Sequence, residues 1–250
     1  MLKALIQGKL SSEQENSEDL LTSGVLGLLS YLPPDQGLLP FLSLSRFEDG
    51  ATNSLFESSG LHVTGMNFWP LAFLEETGWT EPDVLIEVLN ADGQWHIILV
   101  EVKLWSDKSG RPDFETTKVR DQLAREWMIL VNLCRAKKAT PHFIFITSDL
   151  AYPREDVHEA NMELSIKAAS CVDKFPFRCC WLPWFLVVET FRTSTSPALR
   201  DIAAACDRLD LGRFAGITPI TPTNETWSID MGHETYQFAI PIAISLWSYK

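Results

Sequence analysis

The stretch Glu81–Lys103, EPDVLIEVLNADGQWHIILVEVK, decides how the rest of the chain is read. Two runs rich in Val, Ile and Leu flank a short polar break, the composition of paired half-buried strands. The break is Asn90-Ala91-Asp92-Gly93. A three-residue loop, Ala91-Asp92-Gly93, with glycine in the left-handed position closes a hairpin. Asn90 then stands opposite Gln94. Counting outward pairs Leu89 with Trp95, Glu87 with Ile97, Leu85 with Leu99 and Asp83 with Glu101. Side chains alternate between the faces of a strand, so Asp83, Glu101 and Lys103 share one face. A two-residue turn would slip the pairing by one and turn Asp83 in among Val100 and Val102, a costly place for a carboxylate.

Two facing carboxylates repel, and one is forced to keep its proton unless a positive charge lies between them. A hard divalent cation answers that need. Mg2+ typically takes one or two carboxylates, waters and substrate phosphate. Asp83 and Glu101 are therefore the candidate metal ligands. Lys103 is placed to orient water or to stabilise charge developing on a phosphorus centre. The plainer alternative is an acidic hairpin face with one cross-strand Glu–Lys ion pair.

Pro82-Asp83, then a hairpin, then Glu101-Val102-Lys103 resembles the active-site signature of the PD-(D/E)XK nuclease superfamily. The resemblance covers residues 15–150. It implies an α/β fold with a restriction-endonuclease-like core: a helix, a three-strand meander, a helix and a fourth strand. It also implies Mg2+-dependent cleavage of phosphodiester bonds, with Mn2+ as substitute and DNA as the expected nucleic-acid partner. Asp83 and Glu101 would hold the metal, with the Val102 carbonyl as a further ligand. A glutamate on the first core helix often reaches the site in that family. Glu18 is the best-placed match, with Asp19 as the alternative. Some branches carry a glutamine on the helix after the lysine strand, which points to Gln122. The tyrosine that accompanies it there is not met, since Glu126 and Trp127 occupy that region.

Length and composition agree with one sizeable domain. The chain has 250 residues, 46% of them apolar, enough for a real core. Residues 1–150 are expected to form the nuclease-like core, with 151–250 adding helices and strands packed on the same domain. The five cysteines, Cys134, Cys171, Cys179, Cys180 and Cys206, form no CxxC and read as reduced buried thiols. The start, MLKALIQGKL, has no signal-peptide pattern, and no run is long enough to span a membrane, so a cytoplasmic location is expected. Oligomeric state stays open, a homodimer included.

The net charge of −12 opposes a nucleic-acid partner, which usually meets a basic surface. Its distribution is uneven. Residues 1–101 hold 15 acids and three bases, whereas Lys103–Lys138 holds nine bases and five acids. A modest basic strip thus follows the candidate site.

Along the chain, Ser17 is a candidate cap for a helix with Leu20, Leu21, Val25, Leu28 and Leu29 on one face. Residues 58–74 contain His62-Val63-Thr64 and Asn67-Phe68-Trp69, which read as the first meander strand, and residues 37–47 read as a short second helix. Residues 104–112 form a polar loop in which Ser106, Lys108 and Ser109 are candidates for phosphate contact, with a plain surface loop as the equal alternative. Residues 114–136 show a helical apolar stripe of Val119, Leu123, Trp127, Leu130 and Cys134, with Gln122 and Glu126 on another face. HFIFIT, 142–147, is a buried strand. Further helices are expected at 153–171, 184–192 and 197–209, a fifth strand at Cys179–Leu182 and a Thr/Pro linker at 218–224. The alternative to an enzyme is a nuclease-like fold without catalysis, serving as a scaffold or protein-interaction module. Strong acidity and nine tryptophans suit that reading.

Overall fold

The computed structural model describes residues 2–10, 18–58, 60–169 and 174–213, and the backbone of 227–230 and 235–238. Ser17, Cys171 and the linker at 218–224 lie outside the described residues. The hairpin that anchors the fold pairs β4 (Val84–Leu89) with β5 (Trp95–Val102) in the expected register, from Leu89 opposite Trp95 to Val84 opposite Val100. Gly93 sits at φ 75°, the left-handed position that the three-residue loop requires. The Asn90 side-chain oxygen accepts the N–H groups of Asp92 at 3.1 Å and Gln94 at 2.8 Å, closing the turn.

This hairpin forms the middle of a five-stranded mixed sheet. Its order is β1 (His62–Phe68), β4, β5, β6 (Thr140–Thr147), β7 (Cys179–Pro183). β1 and β4 pair antiparallel, whereas β5–β6 and β6–β7 are parallel. The parallel pairs need crossovers, supplied by α4 (Gln122–Lys137) and α5 (Arg154–Lys167). Those two helices cover one face of the sheet, over Ile97, Leu99, Phe143 and Phe145. The other face, with Ile98, Val100, Val102, Ile144 and Ile146, is covered by α2 (Glu18–Ser30), α3 (Leu38–Leu42), α6 (Trp184–Phe191) and α7 (Pro197–Arg208). Strand β5 is therefore buried on both sides. That explains its unbroken apolar run, whereas β4 alternates buried and half-buried positions. A short helix, α1 (Leu2–Ile6), packs on α7.

All of these elements belong to one compact unit ending at Arg213. Residues 214–250 form a second unit, in which β8 (Trp227–Asp230) pairs antiparallel with β9 (Thr235–Phe238).

Four expectations are corrected. The first meander strand, read over His62–Trp69, stops one residue short. It ends at Phe68, where Trp69 takes a positive φ of 49°, and a separate small hairpin follows from β2 (Ala72–Leu74) and β3 (Gly78–Thr80). The second helix spans only Leu38–Leu42, and the helix expected over 153–171 spans Arg154–Lys167. The helix expected from 114 begins at Gln122, capped by the Asp121 carboxylate, which accepts the Ala124 N–H at 3.0 Å. Its apolar stripe is real, but the preceding backbone has a better partner. The carboxylate of Glu163, on α5, accepts the N–H groups of Asp113, Arg120 and Asp121 at 3.3, 3.0 and 2.7 Å. It also pairs with Lys167 at 2.7 Å.

Burial alone would raise the Glu163 pKa, but the Lys167 ammonium and the three N–H groups outweigh it and hold the carboxyl below its ordinary value. The depressed pKa makes its contribution complete above the unfolded carboxylate range and progressively lost as pH falls through the folded value. Glu163→Ala should lower the unfolding free energy by about 3 kcal/mol or more near neutral pH. Urea unfolding followed by circular dichroism measures this, and a loss that does not shrink toward acid pH would contradict the assigned cause.

Candidate active site

The end of β5 gathers side chains from four separate segments. Asp83 lies just before the first residue of β4, opposite Glu101 in the continuing register, and its Oδ2 accepts the Val102 N–H at 2.7 Å. The next residue on the Glu101 face, Lys103, follows the last residue of the strand. There its Nζ reaches Glu101 Oε1 at 2.7 Å and Glu18 Oε1 at 3.1 Å. Glu18 comes from the first turn of α2, on the opposite side of the sheet. Its Oε2 accepts the Leu104 N–H at 2.9 Å and the Ser106 hydroxyl at 2.8 Å. Its neighbour Asp19 is exposed and takes no part.

Gln122, the first residue of α4, completes the cluster. Its Nε2 donates to Glu101 Oε1 and, at 2.9 Å, to Glu126 Oε1. Its Oε1 accepts the Ser109 N–H at 2.7 Å, which fixes the direction of the amide. All five residues singled out in the sequence, Glu18, Asp83, Glu101, Lys103 and Gln122, thus occupy one cluster. Glu126 is an addition. It is 1% exposed and lies one helical turn from Gln122, on the face already noted for that pair. Its spacing of four from Gln122 was the available signal; its burial was not.

The phosphate-contact candidates in the loop have other tasks. The Lys108 side chain is buried among Asp121 at 2.5 Å, Glu159 at 3.0 Å and Asp156 at 3.4 Å, so its charge is already matched. Ser106 is bound to Glu18, and Ser109 to Gln122.

The electrostatics are unbalanced. Burial, reinforced by the Glu101 charge, pushes the Asp83 carboxyl up to about 8 despite the Val102 N–H. Burial also raises Glu101, although Lys103 pulls in the other direction, and raises Glu126 well above the usual range with help from Glu101. Burial alone would lower Lys103, but Glu101 and Glu18 more than offset it, so its ammonium stays protonated. One lysine cannot neutralise four neighbouring acids. Glu101 Oε2 and Glu126 Oε2 are buried without a hydrogen-bond partner.

These observations bear on whether a divalent cation fits. Among the described residues no group of three or more His, Cys, Asp or Glu is set for metal ligation. The donor set is two facing carboxylates and the carbonyl of Val102, the residue after Glu101, and Glu101 offers an unpartnered oxygen. That count suits a hard cation that keeps several waters, as Mg2+ does, rather than an all-protein cage.

No protein-family model, no curated protein and no solved structure matches the chain. The site is therefore read from its own geometry and from its motif. Among the described residues no helix is long and apolar enough to cross a membrane.

Two predictions follow from this geometry. The Asp83 carboxyl has a folded pKa of about 8 against an ordinary 3.8, so the unfolded chain ionises first and rising pH between those values favours unfolding. In chelator, the melting temperature of the wild type minus that of Asp83→Asn should therefore fall from pH 5 to pH 8. A difference that is flat or rises would refute the assignment. In addition, a Cβ at Gly110 would overlap the Arg120 carbonyl oxygen, while the Gly110 carbonyl accepts the Gln122 N–H at 3.2 Å. Gly110→Ala should cost about 1–3 kcal/mol by overpacking. A crystal structure of this variant should show the start of α4, and Gln122 with it, moved from Glu101.

Proposed function

We propose that the protein is a divalent-metal-dependent phosphodiester hydrolase acting on DNA, of the PD-(D/E)XK kind. The observation that carries this reading is the meeting of Glu18, Asp83, Glu101, Lys103 and Gln122 at one strand end, although they come from separate parts of the chain. The order of elements supports it too: a helix (α2), three antiparallel strands (β1, β4, β5), a helix (α4) and a parallel fourth strand (β6). The β2–β3 hairpin interrupts the meander as an insertion, and β7 extends the sheet.

In this reading Asp83 and Glu101, with the Val102 carbonyl, hold Mg2+, for which Mn2+ substitutes. The bound cation supplies Lewis-acid charge to the phosphodiester. Lys103 has three N–H donors. Glu101 and Glu18 take two of them in fixed directions, which leaves the third for the attacking water or a phosphate oxygen. Because Glu101 and Glu18 keep Lys103 protonated, it orients and stabilises rather than accepting a proton. Gln122 holds Glu101 in place, and Glu18 secures both Lys103 and the loop that leaves the strand.

Incubation of plasmid and linear DNA with Mg2+ or Mn2+ tests this reading. Asp83→Ala, Glu101→Ala and Lys103→Ala should each reduce cleavage about 100-fold or more. Cleavage that persists unchanged in any of the three rules the assignment out. A non-catalytic scaffold is the competing reading, favoured by the fact that Lys103 is already matched by two carboxylates. Calorimetric titration with Mn2+ separates them. Binding that is lost in Glu101→Ala belongs to the hydrolase, and absence of binding to the scaffold.

A further inference from the structure

Around the carboxylate cluster the described surface carries large aromatic side chains that the core does not use. Trp105 is 58% exposed, Phe73 56% and Trp79 63%. Trp105 follows Lys103 by two positions, and the residues on both sides of it are tied. The Leu104 N–H donates to Glu18 at 2.9 Å, the Ser148 hydroxyl donates to the Leu104 carbonyl, and the Ser106 hydroxyl donates to Glu18 at 2.8 Å. The indole thus stands in solvent on a braced backbone. Beside it lies a polar cavity of about 190 Å³, lined in part by Lys103, Ser106 and Thr147 and by the acids Asp107, Asp149 and Asp156.

The other aromatics approach from the Asp83 side. Phe73 faces Trp79 directly across the β2–β3 hairpin, with ring centroids 5.2 Å apart. That hairpin is anchored to the site. The Trp69 N–H just before it donates to the Asp83 carbonyl at 2.8 Å. Leu74 packs in the core beneath α4, and the Val119 N–H donates to the Glu76 carbonyl at 3.0 Å. Trp79 precedes Asp83 by four residues. Lys118 and Arg120 are exposed on the loop between Trp105 and α4, as is Phe114. Among the described residues, the segments next to the site thus present fixed aromatic faces with only two free-standing cations on the loop, set among the exposed acids Glu75, Glu76, Glu81, Asp107 and Glu115.

That composition discriminates between forms of DNA. A duplex hides the faces of its bases and is held mainly through many phosphate contacts, which this acidic chain is poorly equipped to make. An unpaired strand offers a π-face at every base, and stacking on aromatic side chains supplies affinity without sequence preference. We propose that Trp105 and the Phe73–Trp79 pair are stacking platforms for the bases of an unpaired DNA strand, so that the neighbouring carboxylate–lysine cluster acts on single-stranded DNA. The catalytic half of this statement rests on the hydrolase reading; the binding half does not.

Fluorescence anisotropy tests it, with labelled oligothymidylate and a mixed-sequence duplex of the same length, in Ca2+ in place of Mg2+. Oligothymidylate should bind roughly tenfold or more tighter than duplex. Trp105→Ala and Trp79→Ala should each weaken it roughly tenfold with an unchanged melting temperature. Equal or tighter duplex binding, alanine variants that bind like wild type, or a preference for oligouridylate would each overturn it. So would self-association that Trp79→Ala abolishes while oligothymidylate binding is unchanged, since the surface would then serve a second copy of the chain. Cleavage assays keep the two readings apart. Platform-dependent binding without cleavage in Mg2+ or Mn2+ removes the hydrolase and keeps the platforms. Duplex cleavage indifferent to both tryptophan variants does the reverse.

Discussion

Everything at the candidate site depends on the parity of one hairpin. Asn90 and Gly93 set a loop of three residues between β4 and β5. One residue fewer would rotate Asp83 out of the Glu101 face and into the layer of Val100 and Val102, where no charged group fits. With the observed register, six residue pairs away from the turn, two carboxylates oppose each other at a strand end closed in by α2 and α4. The sheet's strength is what holds them there. β5 is paired on both sides and buried on both faces, so electrostatic repulsion cannot be relieved by letting the strand end splay.

Buried charge elsewhere in the protein is treated differently, and the contrast sets the candidate site apart. Glu163 is fully buried, yet it has three backbone N–H groups and the Lys167 ammonium around it, and its carboxyl is pulled down in pKa. Lys108 is buried against three carboxylates. Both brace the segment between β5 and α4, and both have their charge answered. Asp83, Glu101 and Glu126 are pushed up, with two carboxyl oxygens unpartnered. Burial raises the Asp121 carboxyl that meets Lys108 as well, so the contrast lies in the partners: Asp121 is hydrogen-bonded to Lys108 and Ala124, whereas Glu101 and Glu126 each keep a buried oxygen with none, which marks them as candidates for a site. The braced segment then has a clear task, because it carries the backbone groups that meet Glu18 and Gln122 and so keeps an unrelieved cluster in one geometry.

The parts of this arrangement visible in the sequence were those governed by local periodicity. Alternation and turn length gave the register of β4 and β5, and the apolar runs gave β6 and β7. Helical spacing placed α2 and the stripe on α4. What was hidden depended on partners distant in sequence. The late start of α4 is set by Glu163, more than forty residues onward, which offers the backbone of 113–121 an alternative to helix. Lys108 looked like a phosphate ligand because a lysine in a polar loop usually faces solvent. Only the approach of α5 shows that Asp156 and Glu159 enclose it. Glu126 reads from spacing as the polar side of an amphipathic helix, although it is buried beside Gln122. The β2–β3 insertion went unseen because strands of three residues are too short to show a period.

The net charge of −12 was the chief objection in the sequence to a polyanionic substrate, and the structure changes its weight. That figure counts every acid as ionised. Burial holds Asp83 near 8 and raises Glu101 and Glu126, so in the metal-free protein at neutral pH part of the formal charge at the site is replaced by bound protons. A divalent cation held by Asp83 and Glu101 would displace such protons, and its two positive charges would be offset by the carboxylates it ionises, leaving the Lys103 ammonium beside a locally balanced centre. Repulsion of DNA by the rest of the surface would remain, screened within about 8–10 Å at physiological salt. A polyanion can meet such a protein only through a short contact centred on the cation and strengthened by something other than charge. Exposed aromatic faces on a braced backbone beside Asp83 and Lys103 are the surface feature that satisfies that requirement.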